Sequence, residues 1–278
     1  MSPQNAQQRI GVCSWSLKPT GLDDLVEKLQ ATGMTGVQLA LDPIRKSPSQ
    51  WKQVPECFAQ HRITILSGMF GCEGEDYSTL DSIRRTGGIA PDATWERNWK
   101  NIQSTAALAQ ELGLKLITFH AGFVPHDPED KDFIKMLCRL NEVADIFHRA
   151  NMEVGLETGQ ETAPALCALL QRLNRSNVVV NFDPANMILY GKGNPVEAVQ
   201  VLGRWIRQVH IKDGIATKTP GTWGQEVPAG SGQVDWKSFF ARLSDAKFSG
   251  PVVIEREAGD QRIEDIRQAR ALAEKYLS

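Results

Sequence analysis

Eight apolar runs, each about the length of one strand, recur along this 278-residue chain with helical or turn-rich segments between them. They fall at residues 9–15, 36–41, 63–69, 114–120, 152–158, 177–183, 206–213 and 251–257. Between and after them, apolar residues recur at helical spacing, as with Leu22, Leu25, Val26 and Leu29, and helices are expected over 21–33, 49–60, 99–113, 130–150, 161–173, 195–203, 235–246 and 261–277. Residues 70–98 and 214–233 read as long irregular loops rich in glycine and turn formers. Strands that alternate with helices form parallel sheets. Eight units in one chain favour closure into a barrel over an open doubly wound sheet, which should also show a glycine-rich phosphate turn after an early strand. The first strand is followed by "CSWSLKP", which is no such turn. The expected fold is therefore α/β, a (β/α)8 TIM barrel forming one domain over residues 1–278.

The formal charge is −2, from 31 Lys+Arg against 33 Asp+Glu, with no basic block. That argues against nucleic acid or an anionic membrane as the main partner. The five cysteines, Cys13, Cys57, Cys72, Cys138 and Cys167, are scattered and odd in number. They read as reduced thiols in a reducing compartment. The polar start "MSPQNAQQRI" shows no secretory segment, and no run approaches ~18 apolar residues. A cytoplasmic location is expected. The long loops leave a homo-oligomer open.

Strand ends carry the chemistry of a parallel barrel, because its active site lies at their carboxyl side. His120, Glu157, Asp183, His210 and Glu255 stand at or near the ends of runs four to eight. A lone Asp or Glu in such a place is commonly a helix cap, and Asp183 before Pro184 fits that reading. Five consecutive strands ending on metal-capable side chains are harder to obtain from caps alone. Three carboxylates in one low-dielectric cavity repel one another unless a cation neutralises them. With one imidazole they suit a single divalent ion, manganese first, then magnesium, cobalt or zinc.

The stretches "GLETGQE", "NFDPANM", "VHIKDG" and "VIEREAG", in this order, resemble the sugar phosphate isomerase/epimerase family of xylose isomerase-like barrels. That group takes in tagatose and psicose 3-epimerases, inositol-catabolism enzymes and the endonuclease IV type. The resemblance implies that Glu157, Asp183, His210 and Glu255 are metal ligands and that Glu157 and Glu255 are the acid/base pair. Three residues after Asp183, where epimerase members carry a sugar-contacting histidine, stands Asn186. No arginine occupies positions 215–217, and the glutamate expected in the helix after the fifth strand is displaced, with Gln160 and Glu161 nearby.

The implied reaction is sugar isomerisation or epimerisation. A proton leaves the carbon beside a carbonyl, and the metal stabilises the enediolate. The alternative is a lyase, a dehydratase or glycoside-cleaving enzyme acting on a keto sugar or inosose with the same metal site. Lys212, two residues from His210, should face the cavity as a substrate contact or stand in solvent at the rim. His120 is either a substrate contact or a hydrogen-bonded core histidine. Trp15 is a wall for a sugar face or simple packing. Trp223 and Glu226, in the second long loop, are candidate contacts to a neutral sugar. Arg84 or Arg85 reads as an anion contact at the rim or as a solvated arginine.

Overall fold

The computed structural model describes residues 8–125, 127 and 129–277. Most of the polar start and His126 lie outside the described residues. Eight parallel strands close into a barrel: β1 Ile10–Cys13, β2 Gly36–Ala40, β3 Thr64–Met69, β4 Leu116–Phe119, β5 Glu153–Glu157, β6 Val178–Phe182, β7 Ile206–Ile211 and β8 Val252–Ile254. Each pairs with its neighbours in chain order, and β8 closes on β1. Val178, Val179 and Val180 are buried, as expected of a parallel strand covered on both faces.

Three segments depart from the sequence expectation. The helix expected to begin at 99 starts at Asp92 and runs to Glu111, because the apolar spacing of Ile102, Ala106 and Ala109 extends back through Trp99 and Trp95. Those two indoles stack at 5.6 Å. The stretch before it is not wholly irregular: a helix at Leu80–Thr86 is capped by the Thr79 hydroxyl, which accepts from the Ser82 amide. The single helix expected at 49–60 is broken into Pro48–Trp51 and Val54–His61, and a further short helix, Asp42–Lys46, precedes them, each with a proline in its first turn.

The loop 214–233 holds a small antiparallel hairpin, Asp213–Ile215 against Gln225–Val227. One carboxylate anchors it. Asp213 Oδ1 accepts from the amides of Gly214 and Val234, while Oδ2 accepts from those of Gly230 and Gly232 and from the Trp236 indole. Because side chains alternate along a strand, Asp213 points away from the face that carries His210 and Lys212.

The barrel interior beneath its carboxyl mouth is polar. The Ser67 hydroxyl donates to Gln208 Oε1 at 2.6 Å, Gln208 Nε2 to Asn181 Oδ1 at 3.1 Å, and Gln38 Nε2 to Thr118 Oγ1 at 2.8 Å. All five side chains are fully buried. Such groups are tolerated in a core only when hydrogen-bonded, so the network fixes its members' orientations.

Gly88 docks the first long loop onto the exit of β4. Its φ is +64°, and a Cβ there would lie 2.1 Å from the Ala121 backbone. Gly113 has a similar φ of +69° but open space around it. Gly113→Ala is expected to lose about 1 kcal/mol of stability, and Gly88→Ala about 3 kcal/mol or more. Equal losses in denaturant titrations would show that the backbone contact does not matter.

Candidate active site

Glu157 is the last residue of β5, Asp183 follows β6, His210 lies near the end of β7, and Glu255 follows β8. One ligand atom from each lies within 4.8 Å of the others, and all four residues are buried. His210 Nδ1 is the hub. It stands 3.5 Å from Glu157 Oε1, 3.4 Å from Asp183 Oδ2 and 3.4 Å from Glu255 Oε2.

The opposite edge of the imidazole sets its tautomer. Nε2 lies 2.8 Å from Gln38 Oε1, an acceptor, and 3.1 Å from the Asn181 amide nitrogen, a donor; the shorter contact favours hydrogen on Nε2. Nδ1 then presents a lone pair to three carboxylates. His210 Nδ1 and Asp183 Oδ2 are both fully buried and without a hydrogen-bond partner. Two like charges ~4 Å apart repel by about 4 kcal/mol at an effective dielectric of 20. That exceeds the roughly 1 kcal/mol a typical hydrogen bond contributes. Burial opposes charge on His210, yet the carboxylates around it hold its pKa well above the ordinary range. Without another cation the imidazolium supplies the compensating charge. The donor set and its two orphaned atoms fit a divalent cation.

The two oxygens of Asp183 face different partners. Oδ1 accepts from the Asn186 amide at 2.9 Å and caps the helix Pro184–Leu189, whereas Oδ2 faces His210. Burial pushes its carboxyl up to about 6. The glutamates behave differently. Burial raises the pKa of Glu157, but His120 and His210 outweigh it and the net shift is down. Glu255 is driven well below the usual range, with Lys212 and His210 overcoming burial.

The remaining candidates divide by what they touch. Asn186 Nδ2 donates to Glu157 Oε1 at 3.1 Å, and Asn181 Nδ2 lies 3.1 Å from Glu157 Oε2. His120 Nε2 is 3.6 Å from Glu157 Oε1. The Trp15 indole does more than form a wall, since its N–H donates to Glu255 Oε1 at 2.8 Å. Lys212 is buried and donates to Glu255 at 2.9 Å and to Glu257 at 2.6 Å. Glu226 borders the cavity, but its Oε1 accepts from Arg256 at 2.7 Å and from the Glu257 amide at 2.9 Å. Its carboxylate ties the hairpin to the end of β8. The Cys13 thiol is buried, and desolvation keeps it protonated.

Of these residues, Trp15, His120, Asn186, Lys212, Glu226 and Glu255 line a cavity of about 580 Å³. Phe70, Leu189, Tyr190 and Trp223 give it an apolar wall, and Tyr77 and Glu75 from the first long loop complete the rim. Sequence reasoning missed Gln38, Glu75, Tyr77 and Glu257. The signal for Gln38 was present, a glutamine in the middle of the apolar run "GVQLAL".

The sequence pattern of the xylose isomerase-like TIM barrel family matches residues 26–276. The chain belongs to that family. Among solved barrels, a xylose isomerase domain protein from Planctomyces limnophilus is 29% identical, with a TM-score of 0.82 and 88% of each chain covered. An L-ribulose 3-epimerase is 17% identical with a TM-score of 0.74, over 97% of this chain and 94% of that one, a likeness of fold. Among curated proteins, the inosose dehydratase of Geobacillus kaustophilus (strain HTA426) is 27% identical over 179 residues. That match covers 60% of this chain and 46% of the dehydratase, less than half of the relative's own length. No helix among the described residues of this xylose isomerase-like barrel is long and apolar enough to cross a membrane.

Glu161 lies outside the four-residue cluster, on the floor of a neighbouring cavity, where burial pushes its carboxyl up to about 8. An unfolded glutamate titrates near about 4.3. Between those values the folded protein holds a proton that the unfolded chain releases, so this group's contribution to stability falls as pH rises through that window. Glu161→Gln is expected to flatten the fall, its advantage over wild type growing from about pH 5 to about pH 8 in denaturant titrations. A constant difference across that window would mean that Glu161 is ionised in the folded protein.

Proposed function

We propose that this protein is a metal-dependent sugar isomerase or epimerase. In this reading Glu157, Asp183, His210 and Glu255 hold one divalent cation, and Glu157 and Glu255 exchange protons with the carbon beside a substrate carbonyl. The observation that carries it is the convergence of four buried donors in which Asp183 Oδ2 and His210 Nδ1 lack a hydrogen-bond partner. Three carboxylates and one imidazole favour manganese, then magnesium, cobalt or zinc. Such a cation, when bound, polarises a carbonyl and its neighbouring hydroxyl.

The protein's own groups prepare the proton transfer. Asn186 and Asn181 hold Glu157, while Trp15 and Lys212 hold Glu255, so each carboxylate presents a fixed atom to substrate. β5 and β8 are three strands apart around the ring, which lets the two glutamates flank a sugar. Glu157 and Glu255 face opposite sides of the sugar, so one takes the proton from one face and the other, protonated from solvent, returns one to the opposite face. His120 and Asn186 contact substrate oxygens. The apolar wall of Trp15, Tyr190 and Trp223 covers a sugar face and excludes water. A small carbohydrate, rather than nucleic acid, is the expected partner.

A second reading uses the same first step. If a β-oxygen leaves after the proton does, the reaction is a dehydration, and Lys212 is then the acid for the leaving group. The 27% identity to a protein named inosose dehydratase favours keeping it.

Metal analysis of the purified protein is expected to give about one divalent ion per chain, held by four protein donors. Asp183→Asn, which keeps an oxygen to cap the helix, should retain little. Full metal content in that variant would remove Asp183 from the ligand set. Incubation of the metal-loaded protein with ketoses and inososes in deuterated water separates the two reactions. Exchange of one C–H without elimination is expected; an enone product would assign the dehydratase, and no exchange with any of them would sink both.

A further inference from the structure

A second cavity, of about 710 Å³, lies beside the first on the same end of the barrel. Phe123 lines it, and its ring meets Tyr190 of the first cavity edge-on at 6.2 Å, so these two rings form the partition. Its floor comes from the residues that follow β5. Gln160 and Glu161 are 2% and 5% exposed, and Gln160 Nε2 and Glu161 Oε1 are fully buried without a hydrogen-bond partner. A buried amide nitrogen and a buried carboxyl left unpartnered carry a penalty that a ligand would relieve.

The charges around this floor are unequal in what they touch. Lys135 pairs with Asp92 and Asp132, Arg85 pairs with Asp81, and Asp130 caps the helix Lys131–Arg149 by accepting from the Asp132 amide. Arg84 and Lys192 differ. Among the described residues neither has a carboxylate within ion-pair distance. Lys192 stands over the Phe123 ring at 5.3 Å; burial lowers its pKa, the Glu161 carboxyl opposes that shift, and the like charge of Arg84 adds to it. With the Glu161 carboxyl protonated, two neighbouring cations repel one another and favour an anion between them. Glu161 does not spoil such a site. With a carboxyl titrating near 8 it is protonated at neutral pH and offers an O–H.

We propose that this second cavity is an anion-binding site, in which Arg84 and Lys192 attract a phosphate or carboxylate group and the Gln160 amide and Glu161 carboxyl donate hydrogen bonds to it. The same chemistry serves a free anion or the charged end of a sugar derivative whose other end lies across the Phe123–Tyr190 partition. The site stands on its own residues and does not depend on the metal reading.

The test titrates inorganic phosphate, a ketose phosphate and the matching unphosphorylated ketose into full-length protein freed of metal by chelation, followed by calorimetry or ligand NMR. Removing metal prevents the first cavity from capturing the anion through a cation. Phosphate is expected to bind, at least tenfold more weakly in Arg84→Met/Lys192→Met, since each lost charge-assisted contact is worth about a factor of ten. Glu161→Gln, which keeps a donor, should bind near wild type, while Glu161→Leu should not. Tighter binding of the ketose phosphate than of inorganic phosphate would assign the anion to a substrate's end, and equal binding would assign it to a free anion. Absence of phosphate binding, or equal binding in the double variant with an intact thermal transition, overturns the proposal. Metal content of the double variant, measured in parallel, reports separately on the four-residue cluster.

Discussion

Three carboxylates and an imidazole brought within 4.8 Å of one another, out of water, are the constraint around which this barrel is organised. Mutual repulsion would drive such groups apart or protonate them unless positive charge stood among them. The fold supplies several answers at once. His210 occupies the centre, Lys212 neutralises Glu255 from above, and the side-chain amides of Asn181 and Asn186 cradle Glu157. The cluster is held from below as well. Gln38 grips the far edge of the imidazole, and Thr118 grips Gln38. A barrel filled with Val and Ile at this level would be easier to stabilise, but it would leave the ring free to turn and its tautomer unset.

Much of this was legible in the sequence, and the reason is topological. A parallel barrel repeats one local pattern, so eight apolar runs give the fold, and the residues closing those runs are gathered by the closure itself. Glu157, Asp183, His210 and Glu255 stand out because four successive runs place a metal-capable side chain at or near their ends, which helix capping explains for Asp183 alone. What could not be read depends on pairs formed across the ring. Trp15 and Glu255 are 240 positions apart, and Gln38 and His210 are 172 apart. Neither pair exists until β8 has closed against β1. Glu226 shows the converse: it sits in a loop of the right length and place, yet Arg256 and two backbone amides claim its carboxylate. The helix at Leu80–Thr86 and the hairpin in the second long loop were obscured by glycine and turn residues, since caps and anchors make those segments regular.

The two cavities share a wall and differ in character. The first combines a charged floor with aromatic sides, as a site for a polyhydroxy compound requires. The second has at its floor a buried amide nitrogen and a buried carboxyl oxygen without hydrogen-bond partners, and Arg84 and Lys192 in its lining. Phe123, Tyr190 and Trp223 form a continuous chain of edge-on rings along the boundary, with Tyr190 and Trp223 4.7 Å apart. A residue on that boundary therefore shapes both spaces.

Asp213 gathers five donors from the loop that follows β7, while its neighbour Lys212 reaches into the barrel. Adjacent positions just past the end of β7 thus serve opposite purposes, one moored to the outer covering and one to the cavity. Provided that the glycine and valine amides, the Trp236 indole and Trp223 keep their places, the outer tip at residues 216–222 can be lengthened, shortened or recoloured without disturbing the chamber beneath. Diversification of ligand preference in such a scaffold is, in that sense, mechanically uncoupled from its chemistry.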